Sequence, residues 1–275
     1  MNETMRKVKK VELEILQEFE TVCEKLNLRW YAGYGTVLGA IRHKGFIPWD
    51  DDVDVLMPRK DYEIFCKKAQ ELLPEKYFVQ TLETEEEYYQ PFAKVRRSDT
   101  TFWEKGTEHD KINHGIYIDI FPLDGYPTQW FAEKLFMIKR IIYNNFLYEE
   151  GDLNCLSGYR KVFAILYRVF RGKLSRKEAA FKKEKLVKKI AYDEAEIVSC
   201  MVEDTPKAEA VLKAVYGDGI YVPFEDREIK VPTETHEYLT RLYGSYMEFP
   251  PEDKRIPIHS CILIDAEKSY LDYEK

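Results

Sequence analysis

Val8, Val11, Ile15, Phe19, Val22 and Leu26 recur every three or four positions, a period that gathers them on one stripe and predicts an amphipathic helix ending near Asn27. The pattern then changes. Residues 29–34 (RWYAGY) run into Gly35, and residues 36–42 (TVLGAIR) read as a helix opened at a glycine turn. Residues 52–57 alternate with the period of two that marks a strand and stop at Pro58. A helix is expected over 61–73, ended by Pro74, followed by strand-like runs at 77–82, 91–97, 100–105 and 115–121. Beyond Pro127 the chain reads as helical through WFAEKLFMIKRIIYNNFLY and a basic segment, with a last strand at 220–224 (IYVPF) and a last helix at 237–244. No internal repeat or low-complexity stretch interrupts this order. The expected fold is α+β, a mixed sheet flanked by helices with an additional helical region in the second half. The expected division is a catalytic core over 1–128 and a mainly helical region over 129–275, whose C-terminal strand and helix pack back on the core.

One stretch breaks the ordinary rules of burial. Residues 46–57 read FIPWDDDVDVLM, and carboxylates packed this tightly repel one another at the start of an apolar strand. On a strand, alternate residues share a face, so Asp50, Asp52 and Asp54 are expected to line up while Val53 and Val55 turn to the core. Converging oxygens suit a hard divalent cation, Mg²⁺ or Mn²⁺, whose charge offsets the repulsion. Asp119, the one charge in the strand-like run GIYIDIF, shares a face with Tyr117 and Phe121. If the two strands are neighbours, Asp52, Asp54 and Asp119 form a three-carboxylate site, with Asp50 as a further candidate ligand, able to hold one or two metals for phosphoryl-group chemistry. A solvated acidic loop is the plain alternative. A calcium loop is the other, with Asp50, Asp52, Asp54 and Asp61 at positions 1, 3, 5 and 12, but Val55 stands where the sharp turn wants glycine.

The neighbouring residues point to phosphate. A glycine turn at a helix N-terminus, Gly35 and Thr36, offers backbone N–H groups and a positive dipole end. Arg42, His43 and Lys44 lie between this turn and the acidic run and are candidates to neutralise a diphosphate. In PFAKVRR, Lys94 and Arg96 share a face and are candidates for a second phosphate contact; the alternative is an edge strand protected by charge.

Composition narrows the class. The chain has 275 residues, 45% of them hydrophobic, enough for a full core as one large domain or two joined ones. Its net charge of −7 disfavours nonspecific nucleic-acid binding, and no nucleic-acid partner is expected. Cys23, Cys66, Cys155, Cys200 and Cys261 are odd in number and widely spaced with no CxxC pair, against both a disulfide framework and a zinc site. Neither a signal peptide nor an apolar run long enough to span a membrane is read, so a cytoplasmic location is expected. Residues 158–190 carry twelve Lys and Arg against Glu178 and Glu184. This segment reads as a solvated helical face or as a docking surface for an anionic polymer or the inner leaflet of the cell membrane. Trp130, Phe131, Phe136 and Phe146, set among charges just before it, either join in that contact or pack against the core.

The run YAGYGTVLGAIRHKGFIPWDDDVDVLMPRKDYEIF closely resembles the LicD family of phosphotransferases, relatives of the fukutin-related proteins built on the nucleotidyltransferase fold. The resemblance continues through FAKVRRSDTTF, YIDIFPLDG, YVPFEDREIKVP and YLTRLYGSYMEFPPEDKR, so it spans nearly the whole chain. It implies a nucleotidyltransferase-like core and transfer of a phospho-alcohol, typically phosphocholine, from a CDP-alcohol donor such as CDP-choline to a hydroxyl of a cell-surface glycan, teichoic acid or lipopolysaccharide, with release of CMP. By position, Gly35 and Thr36 match the family's glycine turn, Asp52 and Asp54 its Asp-x-Asp metal ligands and Asp119 its later carboxylate. One departure is Ser245, where relatives usually carry Asp. Tyr31, Tyr34, Trp49, Trp103, Tyr117 and Phe121 are candidates for holding a quaternary ammonium. Two other classes stay open: a nucleotidyltransferase that transfers the nucleotide itself, and a noncatalytic glycan-binding protein.

Overall fold

The computed structural model describes residues 3–107, 109–147, 174–203, 205–256 and 260–273. Helix α1 (Glu3–Leu26) follows the predicted stripe, with Val8, Ile15, Phe19 and Val22 essentially without solvent contact. Its burial is what makes the helix, since twenty-four residues in isolation gain little from propensity alone. Strand β1 (Tyr31–Ala32) follows, then α2 (Tyr34–His43), β2 (Asp54–Pro58), α3 (Arg59–Lys68), β3 (Tyr77–Gln80), β4 (Ala93–Arg97), β5 (Thr101–Glu104) and β6 (Ile116–Gly125). Phe19 of α1 meets Trp30 edge-on at 5.4 Å and Phe65 of α3 at 5.0 Å, which locks the two helices together.

The main sheet has the order β1-β2-β6-β4-β3. Its pairs are antiparallel except β2 with β6, which run parallel at the centre and place Asp54 directly opposite Asp119. The adjacency on which the three-carboxylate site depended is therefore present. Strand β6 extends beyond the expected end at Phe121 and carries Pro122 within it. Pairing with β4 stops at Ile120, so on that side no ladder remains for the missing N–H of proline to break.

The second half holds α4 (Trp130–Leu147), α5 (Arg176–Val187), β7 (Ile197–Ser199), α6 (Pro206–Glu209), β8 (Val211–Leu212), β9 (Ile220–Phe224), β10 (Arg227–Val231), α7 (Thr235–Tyr243) and β11 (Cys261–Asp265). Strand content here exceeds the single IYVPF strand read from the sequence. β7 pairs with the far end of β6 and with β8, β9 pairs with β10, and β5 leaves the main sheet to pair with β11. Strands β7 and β8, three and two residues long, are too short to show a period of two. One apolar cluster runs from Val8 to Leu239 and draws on both halves. Cys23, Cys66, Cys200 and Cys261 are free thiols; Cys155 and the first part of the basic segment lie outside the described residues. Among the described residues, no helix is long and apolar enough to cross a membrane.

Candidate active site

The site is built where α2 begins and β2 and β6 lie side by side. Gly33 caps α2, and its N–H donates to Asp54 O at 2.9 Å while the Asp54 N–H donates to Thr36 Oγ1 at 2.9 Å. Thr36 thus ties the first turn of the helix to the first residue of the strand. Gly35 is a glycine for a steric reason: a Cβ there would sit 2.6 Å from Asp50 Oδ2, so the Asp50 carboxylate rests against the bare Cα. Between them Tyr34 enters the helix with φ +41°, a conformation unusual for a residue with a side chain. It is held from both ends. The Tyr34 N–H donates to Tyr238 Oη (3.1 Å) on α7, and Tyr34 Oη donates to Glu209 Oε2 (2.8 Å) on α6.

The carboxylates converge, though not by the predicted route. Strand β2 starts at Asp54, so Asp50 and Asp52 lie in the irregular stretch between the turn at Pro48 and Trp49 and the strand, not on the strand itself, which corrects the alternation argument. The cause is local: the Asp50 N–H donates back to Ile47 O (3.0 Å), turning the chain before pairing begins. Just past that turn Asp50, Asp51 and Asp52 each present a carboxylate oxygen within 4.8 Å of the others. Asp54 and Asp119 face them from opposing positions on neighbouring strands, which lie about 4.8 Å apart in any sheet. Burial, followed by the charges of Asp52, Asp119 and Asp50, pushes the Asp54 carboxyl well above its usual range. Glu12 of α1 joins the group from below. It is 2% exposed, its Oε2 has no hydrogen-bond partner among the described residues, and burial and then Asp52 push its carboxyl well up.

Positive charge is distributed less generously than expected. Lys94 stands opposite Asp119 on β4, with Nζ 2.8 Å from Oδ1 and 3.4 Å from the centre of the Tyr117 ring. Arg96 shares that face but is committed elsewhere. It is 1% exposed and donates to Gln80 Oε1 (2.6 Å) and Gly115 O (2.9 Å), with Glu104 at 3.4 Å. Arg42, His43 and Lys44 occupy the opposite end of α2 from the glycine turn. Arg42 donates to Tyr246 O (2.9 Å) and Glu248 O (3.2 Å) and lies over Phe249, clamping the C-terminal tail, and His43 packs edge-on against Trp49 and Phe249. Lys44 closes the helix in a left-handed conformation and is exposed.

The aromatic candidates divide. Tyr34 and Phe92 both pack on Phe121, at 5.6 and 4.5 Å, and form a wall beside Asp119 and Lys94. Tyr31 is buried against Tyr216 and donates to Gly217 O, and Trp103 stacks on His114, so these two serve packing.

A family model described as the LicD/FKTN/FKRP nucleotidyltransferase domain matches residues 27–147, the span that contains the acidic turn and both central strands. The lipopolysaccharide cholinephosphotransferase LicD of Haemophilus influenzae is 30% identical over 267 residues, covering 93% of this chain and 96% of that one. The chain belongs to the LicD family. It is accordingly a transferase of the LicD type. Two uncharacterized proteins of Rickettsia typhi and Rickettsia prowazekii are 29% identical over 134 and 128 residues, 48% and 46% of this chain and 39% and 44% of theirs. The part of the candidate site that sequence reasoning missed comes mostly from outside the matched domain. Glu209 and Tyr238 reach the glycine turn from 175 and 204 positions away, and Glu12 precedes the match. A glutamate within the apolar stripe of α1 was the one local signal for Glu12.

Proposed function

We propose that this LicD-family chain transfers phosphocholine from CDP-choline to a hydroxyl of a cell-surface glycan, lipopolysaccharide or teichoic acid, with release of CMP. The observation that carries the reading is the surplus of carboxylates near the start of α2: Asp50, Asp51 and Asp52 cluster within 4.8 Å of one another, and Asp54 stands opposite Asp119, which Lys94 pairs, on the neighbouring strand. The Haemophilus influenzae relative, named for choline phosphate and for lipopolysaccharide, supports the transferred group and the acceptor.

The donor set fits a divalent ion: it is all oxygen, and burial together with the neighbouring carboxylates makes Asp54 resist ionising on its own. Asp52, Asp54 and Asp119 would hold Mg²⁺ or Mn²⁺, with Asp50 a further ligand, and the ion would offset charge on the diphosphate and the departing CMP. The chain's own groups do the rest. The first N–H groups of α2, at Gly35 and Thr36, take phosphate oxygens. Lys94 brings a positive charge to the same place. The acceptor hydroxyl attacks the choline-bearing phosphorus in line with the departing CMP oxygen, and Asp119 or Asp54 takes its proton. Arg42 and Arg96, bound up in other contacts, are left out of this scheme.

The test incubates purified protein with CDP-choline, CDP-ribitol or CTP, Mg²⁺ or Mn²⁺ and lipopolysaccharide as acceptor, and follows CMP. CMP release from CDP-choline that vanishes in Asp52→Asn is the expected result. Undiminished release in Asp52→Asn would remove the assignment, and pyrophosphate release from CTP would mark a nucleotidyltransferase instead.

A further inference from the structure

Helix α4 has two unlike faces. Phe136, Arg140 and Leu147 point inward and are buried, whereas Phe131 is 71% exposed, Leu135 44% and Ile138 40%. At about 100° per residue, these three outward residues form one stripe, and Lys134 and Lys139 fall about 40° to either side of it. Trp130, 70% exposed, sits at the helix start beyond Lys134. The stripe continues into an apolar groove between α4 and the end of α5, lined by Leu135, Phe136, Val187 and Ile190 with Lys139 and Lys189 among its lining. Lys185, like Lys189, is exposed.

A solvent-facing stripe of large apolar residues, opened by tryptophan and edged by lysines, has the chemistry of a helix that lies in the plane of a bilayer. We infer that the outward face of α4 docks on an anionic lipid surface, with Trp130, Phe131, Leu135 and Ile138 entering the headgroup boundary and Lys134, Lys139 and Lys189 on lipid phosphates. Charge complementarity selects this occupant. A second copy meeting the same stripe would bring lysines on both edges against lysines. The inference goes beyond the phosphotransfer reading and suits it, since an acceptor carried on lipid is reached from the membrane surface. It also sorts these four aromatics, because Phe136 and Phe146 are buried whereas Trp130 and Phe131 face out.

The experiment sediments the full chain with vesicles of phosphatidylcholine alone and of phosphatidylcholine with phosphatidylglycerol, for wild type and for Trp130→Ser/Phe131→Ser. The wild type should pellet with the anionic vesicles only, and the double variant should partition roughly tenfold or more weakly with its melting temperature and its CMP release in solution unchanged. No pelleting with anionic vesicles, or equal pelleting of the variant, overturns the inference. So does a concentration-dependent dimer without vesicles that the double variant abolishes, which would make the face an interface between copies. Because pelleting needs no turnover, a failure of the phosphotransfer reading leaves this result readable.

Discussion

Two aspartates on β6 are both buried, and they are treated in opposite ways. Asp124, near the end of the strand, accepts a fork of bonds from Arg59, with Nε on Oδ1 at 2.8 Å and Nη2 on Oδ2 at 2.5 Å. Burial drives its carboxyl upward and the guanidinium pulls it back, while Glu184 approaches the far side of Arg59 at 3.8 Å. Asp119, five positions earlier in the same strand, has Lys94 beside it but also faces Asp54, with Asp52 and Asp50 close behind. One end of the β2–β6 pair is balanced and the other is left acidic. The balanced end holds the fold, and on the proposed reading the acidic end takes a cation with the phosphates it carries.

The largest effect should come from the acidic end. Asp54→Asn removes a carboxylate that its neighbours already oppose, so CMP release should fall by about a thousandfold or more while the melting temperature holds or rises. A variant that loses both activity and stability would mean that Asp54 is structural, as Asp124 is. At the balanced end the order reverses. Asp124→Asn leaves the Arg59 guanidinium, 6% exposed, with only the more distant Glu184 at 3.8 Å and should cost about 3 kcal/mol in denaturant melts. Activity per folded molecule should be kept, and a stable but inactive variant would erase the distinction between the two ends.

A third test addresses the clamp on the glycine turn. Burial pushes the Glu209 carboxyl from 4.5 up to about 7. The folded chain therefore keeps this proton to higher pH than the unfolded chain does. Its ionisation costs nothing below pH 4, costs more as pH rises, and levels off above pH 7 at no more than about 3 kcal/mol. Glu209→Gln keeps one acceptor for Tyr34 and never ionises. It should be less stable than wild type at pH 5 and gain on it by about 2 kcal/mol at pH 8. A stability difference that does not move with pH would contradict the assignment. The smallest effect is expected for Gly35→Ala, whose Cβ must displace Asp50 Oδ2 from 2.6 Å. It should cost about 1 kcal/mol of stability and weaken metal-dependent binding of CDP-choline in calorimetry, whereas unchanged binding would separate Asp50 from the site.

Much of this was legible because its signals are local. The stripe of α1, the glycine turn and the acidic run each lie within a few turns of chain, and Asp119 was conspicuous as a charge between Ile118 and Ile120. The alternation rule failed at Asp50 and Asp52 because it presumes a strand, and a turn closed at Asp50 delays β2 until Asp54. Asp124 escaped notice because β6 was expected to stop before Pro122, and whether Pro breaks a strand depends on what pairs beside it. Arg96 and Lys94 look equivalent in PFAKVRR, yet only tertiary partners show that Arg96 is occupied by Gln80 and Gly115 while Lys94 meets Asp119. Nothing in the linear order joins Tyr34 to Glu209 and Tyr238, which arrive from the other half of the chain.

The most direct measurement is thermal stabilisation by CDP-choline, taken with Mn²⁺ and again with EDTA, for wild type and Asp54→Asn. Stabilisation that needs the metal and disappears in Asp54→Asn is the predicted result. Stabilisation that persists in EDTA, or that Asp54→Asn retains in full, would contradict the claim that the acidic end of the β2–β6 pair holds the cation and, through it, the donor.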